Sequence, residues 1–368
     1  MKITKSEINF DTKEEINKAL SQAQGNSFQL EDISSIVQRT YLKPKLLTAL
    51  LNPMANEEFE MSDTFKYDET FQTAQLPAGK AYQDHGPDLK KDRPQERKFS
   101  IPSFGIKYNV APQDYMNRRK AGSVGELLTE ADVVAQVAMK AEDSWSMFDE
   151  LGLRELIVND NNIVRGGPFT QYDFYDDIVG GARPAATNMD LGAAVDHIAA
   201  FRKQRKLLQN ELAKAGDSAS RIVCICGDTF FNSRYEIEKQ ETIARDLRSA
   251  VDLVSQAVPT VDSGNFLYDM FESHDGITYI NYGSEIIAGT KLVGDDDAYL
   301  IPMGASNLIA VAYAPAQTRQ YVNTQALQSY AWSTVDDRQG VTVFQEANKL
   351  FCSKNPRAIV HLTSTTAP

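Results

Sequence analysis

The sequence predicts an α+β protein, on three observations. An apolar stripe of helical period runs over residues 126–151, a long two-stranded excursion occupies residues 58–110, and short apolar runs of strand character follow one another from Gly276 onward. No internal repeat is visible. At 368 residues the chain can bury a substantial core, as one large domain or two to three ordinary ones.

Residues 1–55 read as an extended, partly helical arm. Short helices are expected at Asp11–Leu20 and Ser34–Leu42, with Pro44 and Pro53 breaking regular structure. Phe65, Tyr67, Phe71, Thr73 and Gln75 then alternate with polar neighbours, the period of a strand. A polar segment containing Pro77, Gly79, Gly86, Pro87 and Pro94 separates them from a return leg, Phe99–Ile101 and Ile106–Val110. A lone hairpin is only marginally stable in water, so this one is expected to lie against something. Its tip segment, residues 89–98, carries Lys90, Lys91, Arg93, Arg97 and Lys98 against two acids, a local +3 on a chain of net −12. Such a run is either a solvated loop or a contact with an acidic neighbouring copy, which makes these five residues the candidate intersubunit contacts.

Leu127, Ala131, Val134, Ala138, Ala141, Trp145 and Phe148 are spaced 4, 3, 4, 3, 4, 3, one stripe along a helix about 39 Å long. Gly152 stands where that helix is expected to end. With alanine at three stripe positions, packing on a sheet is favoured over a coiled coil, and Val134→Asp is expected to prevent folding. A second helix is expected after Thr187–Asn188, with the stripe Leu191, Val195, Ile198, Phe201, Leu208 and Leu212 and an end at Gly216. Arg221–Cys226 reads as a strand, and Gly227–Asp228 opens another helix with the aspartate as its cap. Strand patterns follow at 277–282, 284–293, 299–302, 308–313, 329–335 and 358–362.

Composition excludes several function classes. A protein that grips DNA through its phosphates needs a basic balance, and here the field has the opposite sign. No run approaches the ~18 apolar residues of a membrane span. The polar start contains no signal-like apolar core, so folding in the cytoplasm is expected. Cys224, Cys226 and Cys352 form no disulfide framework.

Catalytic and metal-binding patterns are equally sparse. His85, His197, His274 and His361 are scattered, and none stands in an H-E-x-x-H or H-x-E pattern. Cys224 and Cys226 share one face of a strand but have no second pair to complete a zinc site, so small buried hydrophobes are expected. Asp295–Asp297 could ligate a divalent cation, although three adjacent acids in a turn are ordinarily solvated. There is no phosphate-binding glycine loop and no nucleophile elbow. No catalytic residue, cofactor site or metal site is therefore assigned. Carboxylate pairs leave no sequence signature, so a cytoplasmic α+β enzyme using carboxylates and a divalent metal stands as the alternative.

The C-terminal third carries a resemblance in the order and spacing of its steps. Gly276–Tyr282 is followed by Leu300-Ile-Pro302-Met-Gly304, Tyr313-Ala-Pro315-Ala, Ala331-Trp332, the 336–340 turn, and Asn355-Pro356-Arg357-Ala-Ile-Val-His-Leu362. This resembles the ending of lambda-type major capsid proteins, the capsid protein E family of tailed phages. Phe104–Tyr115, ahead of the long helix, resembles that family's return from its extended loop.

The resemblance implies a Hong Kong 97-like fold. Its parts would be an N-terminal arm (1–57), an extended loop (58–110), a peripheral domain (111–187) with its spine helix at 126–151, an axial domain (188–315) and a return to the peripheral domain (316–368). It implies a virion protein, not an enzyme, assembled in the host cytoplasm. Copies would form hexamers and pentamers of an icosahedral shell enclosing double-stranded DNA without sequence-specific binding. A scaffolding protein, a portal and a decoration protein are the partners it implies. A different virion component, such as a decoration or head-completion protein, is a further alternative.

Overall fold

The computed structural model describes residues 46–69, 94–118, 127–166, 168–191, 197–246, 269–273, 275–283, 286–287, 290–319, 321–335 and 340–364. The expected arm helices and Lys90, Lys91 and Arg93 lie outside the described residues. By internal contacts the chain divides into two units. The first comprises 1–42, 106–143 and 331–344, and the second 43–105, 144–330 and 345–368.

The second unit holds the largest sheet. Its six strands are β5 (Thr187–Asn188), β6 (Arg221–Cys226), β7 (Met270–Glu272), β8 (Ile277–Asn281), β11 (Asp297–Met303) and β15 (Val360–Thr363), ordered β5-β15-β11-β6-β8-β7. The runs Ile222–Cys226 and Ile277–Ile280 are buried throughout, as central strands covered on both faces must be. β6 and β8 are parallel, and the crossover between them contains the helix Asp228–Asp246. A second helix, His197–Lys214, buries Phe201, Leu208 and Leu212 and ends at Gly216, whose φ of 71° suits glycine. Thr187–Asn188 does not cap it, because those two residues pair with β15 as a strand.

Asp228 also departs from expectation. Its carboxylate accepts from Asn281 Nδ2 at 2.7 Å and so ties this helix to the end of β8. Gly227 is needed for close approach, since a Cβ there would fall 2.0 Å from the Gly294 carbonyl. Of the strand expected over 284–293, the described residues show a two-residue ladder, β9 (Ile286–Ile287) on β10 (Thr290–Lys291).

β1 (Asn56–Phe59) and β12 (Ile309–Tyr313) pair in parallel, and β12 pairs antiparallel with residues 349–353 of β14 (Val341–Ser353). Neither β1 nor the thirteen-residue β14 is announced by its own sequence. In β14 the polar Asn348 and Lys349 are buried, so the run lacks the alternation that marks a strand. β2 (Thr64–Glu69) and β3 (Gln95–Ser100) form the expected hairpin stem in antiparallel register. The return leg separates from it: β4 (Ser103–Val110) pairs with β14 and not with β2. β13 (Tyr330–Val335) flanks β14 on its other side, and in the first unit Trp332 stacks on Phe344.

The longest element, the helix Glu130–Asn159, spans 30 residues, about 45 Å. Numbered in chain order, the helices are α1 (Leu46–Leu51), α2 (Pro112–Tyr115), α3 (Glu130–Asn159), α4 (Phe174–Val179), α5 (His197–Lys214) and α6 (Asp228–Asp246).

α3 starts four residues after, and ends eight residues beyond, the range read from the sequence. Gly152 does not stop it. A Cβ at that position would lie 2.4 Å from the Phe351 ring, so glycine there lets β14 approach the helix. The helix ends at Asp160, in the left-handed region at φ 54°, while Arg183 Nη1 donates to the last-turn carbonyls of Ile157 and Val158.

Candidate assembly surfaces

Three places stand out in the described residues: the segment Leu46–Leu51, the hairpin stem, and the charged groups buried in the core. Leu46–Leu51 is fastened by one carboxylate. Glu150 of α3 has no exposed surface, and it accepts from Leu47 N at 2.8 Å, Thr48 N at 2.9 Å and Thr48 Oγ1 at 2.6 Å. Both amides belong to α1. Tyr282 donates its hydroxyl to the same carboxylate. With four donors the buried Glu150 carboxyl is satisfied, and it ties α1 and Tyr282 to α3.

The hairpin stem places two of the five sequence candidates. Arg97 does not stand at a tip. It lies in β3, pairs with Glu69 at 3.1 Å, and donates from Nη1 and Nη2 to the Asp177 and Ile178 carbonyls at 2.8 Å each. Those carbonyls belong to the last turn of α4, so Arg97 acts as a C-terminal counter-charge holding the stem on the fold. Asp173 caps the other end of α4 through the Tyr175 and Asp176 amides. Phe99 packs edge-on against Tyr172 and Phe174, which supplies the surface the hairpin requires. Lys98 is exposed on the same strand, opposite Lys66.

The remaining sequence candidates are tied up individually. Asp295 pairs with Lys291, and Asp297 with His361 at 3.1 Å, so the acidic triplet diverges instead of converging on an ion. Among the described residues no three metal-ligating side chains gather. Cys224 and Cys226 are buried in β6, and burial drives the Cys224 thiol well above its ordinary pKa. His197 is buried, His361 stacks on Tyr299, and His85 and His274 lie outside the described residues.

Sequence reasoning passed over the buried acids. Arg234 Nη2 reaches Glu238 at 2.7 Å, Ser273 Oγ at 2.7 Å and Asp275 Oδ2 at 3.3 Å, all buried, with Tyr279 donating to Asp275 at 3.0 Å. Asp275 also accepts from Ile277 N at 2.9 Å. The network fixes the β7–β8 turn, and both carboxylates are spent on it. Asp160 is different. Burial pushes its carboxyl up to about 7, against the opposing pull of Arg183, whose Nε stands 3.0 Å away. A cleft beside Asp149 and Lys349 has about 30 Å³ of free space, enough for one water and far below a metabolite's volume. An i,i+4 spacing joins Arg234 to Glu238 within α6, but Ser273, Asp275 and the Asp160–Arg183 pair are assembled from positions far apart in sequence, which no spacing rule brings together.

The family described as phage major capsid protein E matches residues 33–364. No curated protein sequence matches the chain. Among solved structures, the mature capsid of bacteriophage PhiM1 is similar at a TM-score of 0.51 and 9% identity, covering 91% of each chain. A putative capsid protein of an E. coli CFT073 prophage aligns at 0.48 and 12% identity over 93% of this chain and 99% of that one. The capsid of cyanophage P-SCSP1u aligns at 0.47 and 11% identity over 91% and 92%. The likeness to the PhiM1 capsid carries the fold, and the family match carries the role. With mixed helix and sheet in the Hong Kong 97-like arrangement, the chain belongs to the phage major capsid protein E family, structural shell proteins of the tailed-phage virion.

Proposed function

We propose that copies of this chain assemble in the host cytoplasm as hexamers and pentamers that close an icosahedral head around phage double-stranded DNA. The single observation that carries this reading is a capsid family match extending over residues 33–364 of 368. The work is contact between copies, not chemistry on a substrate. In this reading the arm is residues 1–57, fastened by Glu150. The extended loop is 58–110, with β2 and β3 as its stem. The peripheral domain is 111–187 around α3, the axial domain is 188–315 with α5, α6 and most of the six-stranded sheet, and 316–368 returns the chain to the peripheral domain. A net charge of −12 suits a wall that confines DNA without gripping it. A scaffolding protein, a portal and a decoration protein are the partners this role calls for.

Lys90, Lys91, Arg93 and Lys98 are the proposed contacts of the extended loop with a neighbouring copy. Arg97 is better left intact in testing this, because it holds the stem within its own chain. Expressed with its scaffold, the chain is expected to elute as capsomers or megadalton particles, seen as shells by negative-stain microscopy. A chain that stays monomeric at high concentration under those conditions rules the assembly reading out. K90E/K91E/R93E/K98E is expected to melt like wild type and to lose particles; normal particles remove the loop contact alone.

A further inference from the structure

Charge is distributed unevenly over the six-stranded sheet and its helices. α5 carries five basic residues and one acidic residue on a chain of net −12. Its inner face, Phe201, Gln204, Leu208 and Leu212, is buried. At 100° per residue, Arg202, Lys206 and Lys203 fall on one outward arc about 100° wide. All three are exposed, and no carboxylate among the described residues reaches them. The neighbouring charges are already engaged: Arg205 donates to the Asp275 carbonyl at 2.7 Å, and Lys214 pairs with Glu211.

The same sheet presents the opposite sign elsewhere. Among the described residues β7 is its edge strand, and the exposed Asp269 just before it and Glu272 at its end are both acidic. Between them Phe271 packs on Tyr235 of α6, ring centroids 5.5 Å apart, and the next residue of that helix, Glu236, is exposed. No described cation pairs with any of the three acids. An edge strand must be covered or guarded, and here the guard is acidic.

We propose that the capsomer ring closes through a head-to-tail contact in which Arg202, Lys203 and Lys206 of one copy meet Asp269, Glu272 and Glu236 of the next. The inference rests on the assembly reading and names the partner surfaces within it. Two unlike surfaces on one domain produce a heterologous contact, the kind that closes into rings, whereas either surface meeting itself would oppose like charges. A nucleic acid is the other conceivable occupant of the basic face. It is disfavoured because a complementary acidic edge exists on the same domain and each copy as a whole repels a polyanion.

The test uses two triple variants, R202E/K203E/K206E and E236K/D269K/E272K, each checked for wild-type melting and read by size exclusion with light scattering. Each alone is expected to lose at least about 90% of its capsomers. Mixed in equal amounts they are expected to recover six-membered rings, since an alternating ring places every reversed surface against its complement. Assembly of either variant alone at the wild-type level overturns the proposal, as does a mixture of two well-folded variants that fails to recover. Particles that form normally from R202E/K203E/K206E while binding of a 30-base-pair duplex drops would instead assign the basic face to nucleic acid. Wild-type protein that fails to assemble sinks the broader assembly reading.

Discussion

The two halves of α3 share one heptad-like stripe and differ in fate. From Glu130 to Lys140 no residue is buried, and Met139 is 64% exposed. From Ala141 onward the helix buries Phe148, Glu150, Leu151, Leu153, Leu156 and Ile157. The second half has partners. Trp145 donates to Gln345 at 3.0 Å, Phe148 lies 4.4 Å from the Phe104 ring, and Gly152 admits Phe351. Period makes a helix amphipathic; burial depends on what other segments deliver to its apolar side.

The contrast can be broken from the buried half. Leu156→Asp places an unpaired charge at a fully buried site and is expected to abolish folding, read as loss of a cooperative thermal transition. A soluble variant melting like wild type would place Leu156 outside the core. Glu150→Ala removes the acceptor of two helix amides and two hydroxyls. It is expected to cost roughly 2–5 kcal/mol in urea unfolding and to open the Leu46–Leu51 segment to protease, with Glu150→Gln recovering part of the loss.

At the end of the helix, Asp160 has a folded pKa raised from 3.8 to about 7. The folded state therefore holds the proton more tightly. The stability linked to that proton is complete below pH 3.8 and is lost as pH rises through about 7. The slope approaches about 1.4 kcal/mol per pH unit inside that window. Asp160→Asn is expected to flatten this dependence; an unchanged slope would show that another group carries it. Val134→Asp, on the half-buried first half, is expected to cost under about 1 kcal/mol, against the loss of folding that the stripe alone suggested. A collapse of folding with Val134→Asp would mean that the first half is as covered as the second.

The candidate contacts show the same division between local and distant information. The hairpin stem was legible, since Phe65, Tyr67 and Phe99 alternate with polar neighbours and do pair across β2 and β3. The role of Arg97 was not, because its acceptors are carbonyls some eighty residues away. β14 was missed for a related reason. Asn348 and Lys349 look solvated until Pro315 O accepts from one and Asp149 pairs with the other. The basic face of α5 could have been counted from sequence. Its meaning needed the acidic β7 edge, which a hydrophobic pattern does not reveal.

The sequence by itself determined the class of the fold, the existence of the long helix, the hairpin stem and the strands at 221–226, 299–302 and 308–313, together with the family. Each follows from periodicity or order along the chain, which backbone geometry imposes locally. Tertiary structure alone decided which half of α3 is buried, where that helix stops, and which charges are spent inside the copy. Those outcomes depend on groups brought together from distant positions, and the free energy of burying or pairing a side chain is set by its neighbours in space.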